Sequence, residues 1–138
     1  PFRDSVSILL VTGEQILQAL ENGFSAMEDA RGRFPQVSGI KVKVSPSAPA
    51  GQRVVSVLIN NKPLNKGANY RLATTSFLAA GGDGYDSFKS AKRLQETVGE
   101  QIISDIVSEY ILSKKVVSPK IEGRILQVEN QNTPSNNQ

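Results

Sequence analysis

The alternation of hydrophobic and polar positions predicts several short strands separated by two helices. Residues 5–11 and 54–59 are apolar runs of strand length, and residues 40–44 and 70–75 alternate between apolar and polar side chains. Polar or turn-forming residues bound each segment, which is typical of β-strands. We expect 40–44 and 54–59 to pair as a hairpin or meander, and 125–128 to close a sheet edge.

Two helices are predicted from capping patterns followed by apolar stripes. Thr12-Gly13-Glu14-Gln15 forms a capping box in which the Thr and Gln side chains can bond each other's backbone amides, and the stripe after it ends near Met27. Thr97-Val98-Gly99-Glu100 has the same form and precedes a stripe that runs to about Leu112. We expect this second helix to pack on a sheet. Strands grouped around two separated helices predict an α+β domain.

Composition and charge indicate a globular domain and argue against nucleic-acid binding and a membrane span. The chain has 138 residues, of which 38% are hydrophobic and 21% charged, which suits one globular domain. Its 16 basic and 13 acidic residues give a net charge of +3. The densest basic spots, at 41–43 and 114–115, are too short to follow a phosphate backbone, so no nucleic-acid partner is expected. No apolar run approaches the roughly 20 residues of a membrane span.

The chain contains neither cysteine nor histidine. This composition excludes disulfides, thiolate nucleophiles, imidazole bases and most zinc sites from this chain. Any hydrolytic machinery must therefore use carboxylates or lie elsewhere. Because the sequence opens on Pro1 without a Met or a recognisable leader, we expect it to be a piece of a longer protein.

The stretch SFLAAGGDGY, residues 76–85, places one carboxylate, Asp83, among three glycines. Asp83 has little side-chain cover there, so it either caps a turn with its own backbone or reaches a ligand. A lone carboxylate among glycines lacks the several oxygen ligands that calcium needs. Tyr85 and Phe88 are expected to pack beneath the loop. From the residues alone, Phe34 is favoured as a core aromatic and the role of Asp83 stays open between a turn and a ligand.

Three segments together resemble the C-terminal domain of the secreted 5'-nucleotidase family. They read GRFPQVSG at 32–39, SFLAAGGDGY at 76–85 and SPKIEGRI at 118–125, and the T-G-x-Q helix start lies upstream of them. The resemblance covers residues 1 to about 128. It implies a four-layer α/β/β/α sandwich, N-terminally incomplete here, as a partial substrate-binding domain over 1–128. The Asn-, Gln- and Ser-rich composition of 129–138 separately predicts a polar, disordered tail.

The resemblance also implies a set of nucleoside-binding residues. The aromatic rings of Phe34 and Phe77 would sandwich the nucleobase, since stacking of a base on an aromatic ring tolerates any base. Asp83 would accept hydrogen bonds from the ribose hydroxyls, because an ionised carboxylate offers only acceptors to a diol. Gly81 and Gly82 would let the backbone approach the sugar. Arg33 and Arg124 are left out of the site.

The catalytic groups of this family all precede the first residue of this chain. The resemblance implies an N-terminal metallophosphoesterase domain with two divalent, zinc-like metal ions, a catalytic His and Asp pair, and an N-G-G-x-x-R loop. We therefore expect no catalytic residue and no metal ligand in this chain, and no hydrolysis by the chain alone. The expected ligand is AMP-like, and the expected location is extracellular, at the cell surface or periplasmic.

Several functions stay open within this interpretation. The alternative from another class is a non-catalytic nucleotide-binding or interaction module derived from the same fold. Within the enzyme class, apyrase, nucleotide-sugar hydrolase and cyclic-nucleotide phosphodiesterase activities are not separated, because phosphate-side specificity lies outside this segment. A homodimer is also left open.

Overall fold

A computed structural model of the chain describes residues 3–94 and 101–129. These residues form an α+β fold with two sheets, which confirms the predicted class. The chain divides into two compact units, one comprising Pro1–Ala19 and Asn65–Glu122 and the other Leu20–Leu64 and Gly123–Gln138. None of the described helices is long and apolar enough to cross a membrane.

The first unit is built on a three-stranded sheet with β1 (Val6–Thr12) at its centre. On one side β1 pairs antiparallel with β5 (Asn69–Thr75) along its whole length, from Val6 opposite Thr75 to Thr12 opposite Asn69. On the other side it pairs with the two-residue strand β6 (Lys92–Arg93). The predicted strands at 5–11 and 70–75 are thus confirmed. The buried apolar residues of this unit are Leu9, Val11, Ile16, Ala19, Ala79, Tyr85 and Phe88.

Helix α1 (Gly13–Phe24) begins directly after β1, at the predicted capping box. The Thr12 amide donates to Gln15 Oε1 at 2.9 Å, and the Gln15 amide donates to Thr12 Oγ1 at 3.1 Å. Both orphan amides at the helix start are therefore satisfied. The helix ends at Phe24, one turn before the predicted end, and Met27–Asp29 instead forms a 3₁₀ turn. Gly23, which weakens a helix interior, lies in that last α-helical turn.

The second unit holds a four-stranded sheet. Strands β2 (Ile40–Val44) and β3 (Val54–Ile59) form the predicted antiparallel pair at its centre. A tight turn at Asn60 and Asn61, with φ of 50° and 63°, returns the chain into the short edge strand β4 (Lys62–Pro63). Asparagine is among the few non-glycine residues that favour this left-handed turn.

At the other edge, β7 (Ile125–Gln127) pairs parallel with β2, which confirms the predicted edge strand. The strand order of this sheet is thus β4-β3-β2-β7. Lys41 and Lys43 lie on the exposed face of β2, while Val42 and Val44 are buried. The buried apolar residues of this unit are Leu20, Phe24, Val42, Val44, Ala48 and Val57.

Helix α3 (Ile103–Lys114) corrects one expectation, because it buries none of its residues. Ile103 and Ile106 are half-buried, whereas Tyr110 and Leu112 are 55% and 76% exposed. The helix is tied to the start of β1 through its first turn, where the Ile103 amide donates to the Asp4 carbonyl. An apolar stripe predicts which face of a helix is suited to packing, but not what lies against it, so the expected sheet contact was wrong.

Two predictions fall outside the described residues. The second capping box, Thr97–Glu100, precedes α3 in a stretch that the structure does not describe, and so does nearly all of the predicted tail at 129–138.

Candidate functional site

The loop that carries the SFLAAGGDGY motif exposes an aromatic ring. Phe77 lies in the single-turn helix α2 (Ser76–Ala79), directly after β5, and is 50% exposed. The rings of Phe24 and Phe88 are covered, at 0% and 5% exposure. Among these three rings, Phe77 alone is available for stacking on a ligand.

The position of Phe77 is set by hydrogen bonds around its own helix. Thr75 caps α2, accepting the Leu78 amide on its Oγ1 at 3.1 Å. The Ser76 hydroxyl donates to Asp4 Oδ1 at 2.9 Å and accepts the Ser5 amide at 3.2 Å. The Ser76 amide also donates to the Ser5 carbonyl, at 2.8 Å. These bonds attach α2 to the beginning of β1, and nothing in the sequence pattern indicated them.

The chain then reverses through three left-handed residues, the third of which is Gly84 with φ 82°. Gly81 has φ 89° and donates its amide to the Leu78 carbonyl, and Asp83 has φ 54°. Glycine adopts this conformation without strain, and Asp tolerates it better than most residues. The turn brings Gly82 against the ring of Phe77, so Phe77, Gly81, Gly82 and Asp83 share one loop. Asp83 itself is exposed.

Beneath this loop lie two buried aromatic rings. Tyr85 and Phe88 are each 5% exposed and stack on each other with centroids 5.7 Å apart. Their expected place in the core is thus confirmed. Ser87, between them, donates its hydroxyl to the Gln15 carbonyl of α1. The glycine-rich loop is therefore followed by a buried aromatic pair that is bonded to α1 through Ser87.

Phe34, the second predicted base-stacking residue, belongs to the second unit and is half-buried. Its ring meets the fully buried ring of Phe24 edge to face, with centroids 5.4 Å apart and an interplanar angle of 76°. Such edge contacts contribute to packing. The sequence alone favoured a core position for Phe34. The structure agrees in part, because the Phe34 ring packs against Phe24 while the residue stays partly exposed to solvent.

A buried arginine that the sequence pattern did not reveal supports the segment leading to Phe34. Arg53 is 7% exposed and donates to the Phe24 carbonyl at 2.7 Å and to the Ala48 carbonyl at 3.0 Å. Its guanidinium also pairs with both oxygens of Glu28, at 2.6 and 3.2 Å. The hydrogen bond from Arg53 holds the pKa of the Glu28 carboxyl below its ordinary value of 4.5, and the same bond raises the pKa of Arg53.

Two further arginines, set aside in the sequence analysis, contact the same segment. Arg124 donates to the Val37 carbonyl at 2.8 Å, and its own carbonyl accepts the Val42 amide at 2.8 Å. Arg33 donates to Ser25 Oγ at 3.3 Å. Both arginines thus make structural bonds within the second unit, which explains part of the GRFPQVSG and SPKIEGRI motifs without a ligand.

No cluster of three or more His, Cys, Asp or Glu residues that could hold a metal ion occurs within 3–94 and 101–129. What the arrangement offers is an exposed aromatic face, an adjacent carboxylate and a glycine-rich backbone.

Known sequences resemble this chain over nearly its whole length. Residues 1–90 match the family model described as "5'-nucleotidase, C-terminal domain". The chain is 38% identical to the trifunctional nucleotide phosphoesterase protein YfkN of Bacillus subtilis, over 93% of this chain and 9% of that protein. It is 37% identical to a 5'-nucleotidase of Diplobatis ommata, over 96% of this chain and 24% of that protein.

A solved structure shares the fold. The crystal structure of the 5'-nucleotidase precursor from Thermus thermophilus superposes with a TM-score of 0.87 at 35% identity, covering 94% of this chain and 26% of that one. The chain thus spans about a quarter of the length of these 5'-nucleotidases.

Proposed function

Because this chain belongs to the family of 5'-nucleotidase C-terminal domains, we propose that it recognises the nucleoside of an AMP-like nucleotide for a 5'-nucleotidase-type metallophosphohydrolase. The reaction converts a nucleotide and water into a nucleoside and phosphate. The role of this chain is to bind and orient the substrate, and it supplies no group that attacks phosphorus.

The observation that carries the proposal is the half-exposed ring of Phe77 in the same loop as Asp83. An exposed aromatic side chain is costly to leave in water and well suited to stacking on a nucleobase, which contributes about 1 to 3 kcal/mol per base. Because every base has a π-face, this contact gives affinity without selecting adenine.

The carboxylate of Asp83 binds the ribose. An ionised carboxylate accepts two hydrogen bonds, which matches the 2'- and 3'-hydroxyls of a ribonucleoside. The left-handed conformation of Asp83 and the glycine-rich turn at Gly81 and Gly82 bring the loop backbone close to the sugar. The family resemblance alone suggests Phe34 as the second stacking residue, and within its own unit the Phe34 ring is held by its edge contact with Phe24.

Catalysis resides in an N-terminal metallophosphoesterase domain joined to this chain. Two divalent metal ions bound there would activate water and neutralise phosphate oxygens. The protein acts outside the cytoplasm, as a secreted, cell-surface or periplasmic enzyme of nucleotide catabolism, and a homodimer is compatible with this function. Support comes from relatives that include a snake venom 5'-nucleotidase of Crotalus adamanteus.

The test uses the full-length protein that carries this chain. Isothermal titration with adenosine should give saturable binding, and AMP with added Zn²⁺ should release phosphate. The isolated chain, purified free of other phosphatases, should release none. Adenosine binding by the full-length protein without hydrolysis of AMP, ATP, a nucleotide sugar or a cyclic nucleotide would instead establish the non-catalytic module, and absence of adenosine binding would refute the proposed recognition.

A further inference from the structure

We infer that Gly82 is a positioning residue whose missing side chain lets the Phe77 ring lie flat on the loop, with its opposite face presented to the nucleobase. The inference rests on the proposed function, because it concerns how one stacking surface is held. It assigns Gly82 a role through Phe77, in place of direct contact with the sugar.

The geometry identifies which part of the ring Gly82 meets. A Cβ atom at position 82 would lie 2.5 Å from Cε1, 2.5 Å from Cζ and 2.6 Å from Cε2 of Phe77. A point nearly equidistant from three consecutive ring atoms lies on the axis through the ring centre. At these distances it stands above the ring plane, so the backbone of Gly82 faces the flat side of the ring.

Space, and not backbone conformation, explains the glycine at this position. The φ angle of Gly82 lies outside the left-handed region, so the backbone there accepts an L side chain. Gly81 differs, because its φ of 89° favours glycine whatever its surroundings. A methyl group at position 82 would overlap the ring, since carbon atoms in contact stay at about 3.5 to 4.0 Å.

The exposure of Phe77 agrees with a ring supported on one side. Half of the residue is exposed while Gly82 covers one face, so the accessible surface is the face turned away from the loop. Fixing a side chain in its binding orientation before the ligand arrives reduces the entropy lost on binding. The pair therefore acts as a preorganised platform.

The experiment is a double-mutant cycle in the full-length protein, with adenosine affinity measured by isothermal titration. Gly82→Ala should weaken adenosine binding about tenfold, because the displaced ring no longer stacks squarely. Phe77→Ala should weaken it by a similar factor. Adding Gly82→Ala to Phe77→Ala should change the affinity by less than about twofold, because the ring on which Gly82 acts is already gone.

Gly67→Ala is the matched control. Gly67 lies in the same unit, its φ is outside the left-handed region, and its added Cβ would come no closer than 3.7 Å to Asn65 Oδ1. This variant should bind adenosine like the wild type. If Gly82→Ala alone does not fold, the double variant should recover folding, since the overlap is relieved.

Each other outcome contradicts a specific claim. Equal losses from Gly82→Ala with and without Phe77 would mean that Gly82 contacts the ligand itself, and would overturn the inference while the proposed function stands. If Gly82→Ala bound adenosine like the wild type while Phe77→Ala bound it more weakly, the inference would likewise be overturned and the proposed function would stand. Failure of the double variant to fold would also overturn it. Wild-type affinity of Phe77→Ala would refute the proposed stacking role directly.

Discussion

The two aromatic residues proposed to stack on the base are held in different ways. Phe34 is half-buried, meets Phe24 edge to face, and follows a segment fixed by the buried Arg53. Phe77 is 50% exposed and rests on Gly82, in a loop whose side chains are small. One ring is held by its neighbours' side chains, and the other by a backbone that leaves room for it.

Because of this difference, we expect Phe34 to contribute to both folding and ligand binding, and Phe77 to contribute mainly to binding. A ring that packs against a core residue contributes to folding whether or not it also binds a ligand. A ring that lies exposed on glycine contributes little to folding, so an aromatic residue at this position is better explained by binding. Substitutions in and around the two rings can test that separation, from the largest expected effect to the smallest.

The largest effect is expected from Arg53→Ala, which should destabilise the second unit by about 2 to 4 kcal/mol. The substitution removes the bonds to two backbone carbonyls and to Glu28, and leaves unfilled space in the core. Chemical denaturation monitored by circular dichroism measures the loss. Lys43→Ala, on the exposed face of β2, is the control and should change stability by less than about 0.5 kcal/mol. If Arg53→Ala also changed stability by less than about 0.5 kcal/mol, the buried hydrogen bonds of Arg53 would not support the fold.

Alanine substitutions at the two rings should differ in stability but not in binding. Phe34→Ala and Phe77→Ala should each weaken adenosine binding by about 1 to 3 kcal/mol in the full-length protein. Only Phe34→Ala should also lower the free energy of unfolding, by about 1 kcal/mol or more, since it loses the contact with Phe24. Equal effects of the two variants on unfolding would remove the distinction between the two rings.

Asp83→Asn should produce a smaller loss of nucleoside affinity, and the loss should depend on the sugar. Asparagine keeps the shape and tolerates the left-handed φ, so the turn should persist, but it offers the ribose one weaker acceptor and a donor. Adenosine should therefore lose more affinity than 2'-deoxyadenosine, by something on the order of 1 kcal/mol. Titration with both nucleosides and a melting curve measure this. An equal loss for the two sugars together with a lower melting temperature would assign Asp83 to the turn instead.

The smallest effect is a pH dependence that comes from Glu28. Because Arg53 lowers the folded-state pKa of Glu28, this carboxylate adds stability above its ordinary pKa of 4.5, and the addition is lost as the pH falls through the lower folded-state value. The melting temperatures of the wild type and Glu28→Gln should therefore differ at neutral pH and converge as the pH falls below that ordinary value. A difference that stays constant over this range would exclude the ionised pair as its source.

Local patterns in the sequence predicted the local structure well. The capping box at Thr12 and Gln15 and the alternation in β2 depend on neighbours in the chain, and both are confirmed. Periodicity alone does not divide the strands between two sheets, because β6 is two residues long and β7 finds its partner far away in sequence. Only the family resemblance implied two sheet layers. Nor does any pattern predict that the apolar face of α3 stays partly exposed and that the helix has no fully buried residue.

The residues of the candidate site are proposed from the motif and the family resemblance, whereas the contacts that hold them in place have no signal in the sequence. The glycine-rich motif pointed to Phe77 and Asp83, whose binding roles remain predictions. The contact of Gly82 with the Phe77 ring depends on a reversal of the chain at Gly81, which periodicity does not record. Arg53 has no local signal either, because arginine is usually exposed and only the fold shows that this one is buried.

The parallel pairing of β2 with β7 has a consequence for how the protein is made. The β2–β3 hairpin can form as soon as the chain reaches Ile59, yet the outer edge of β2 finds its partner only when Ile125 has left the ribosome. Until then an apolar strand presents unpaired amides and carbonyls to other nascent chains, a condition that favours aggregation and slow folding. A chaperone that shields this edge during synthesis should raise the yield of native protein, and removal of β7 should turn the same edge into a site of self-association.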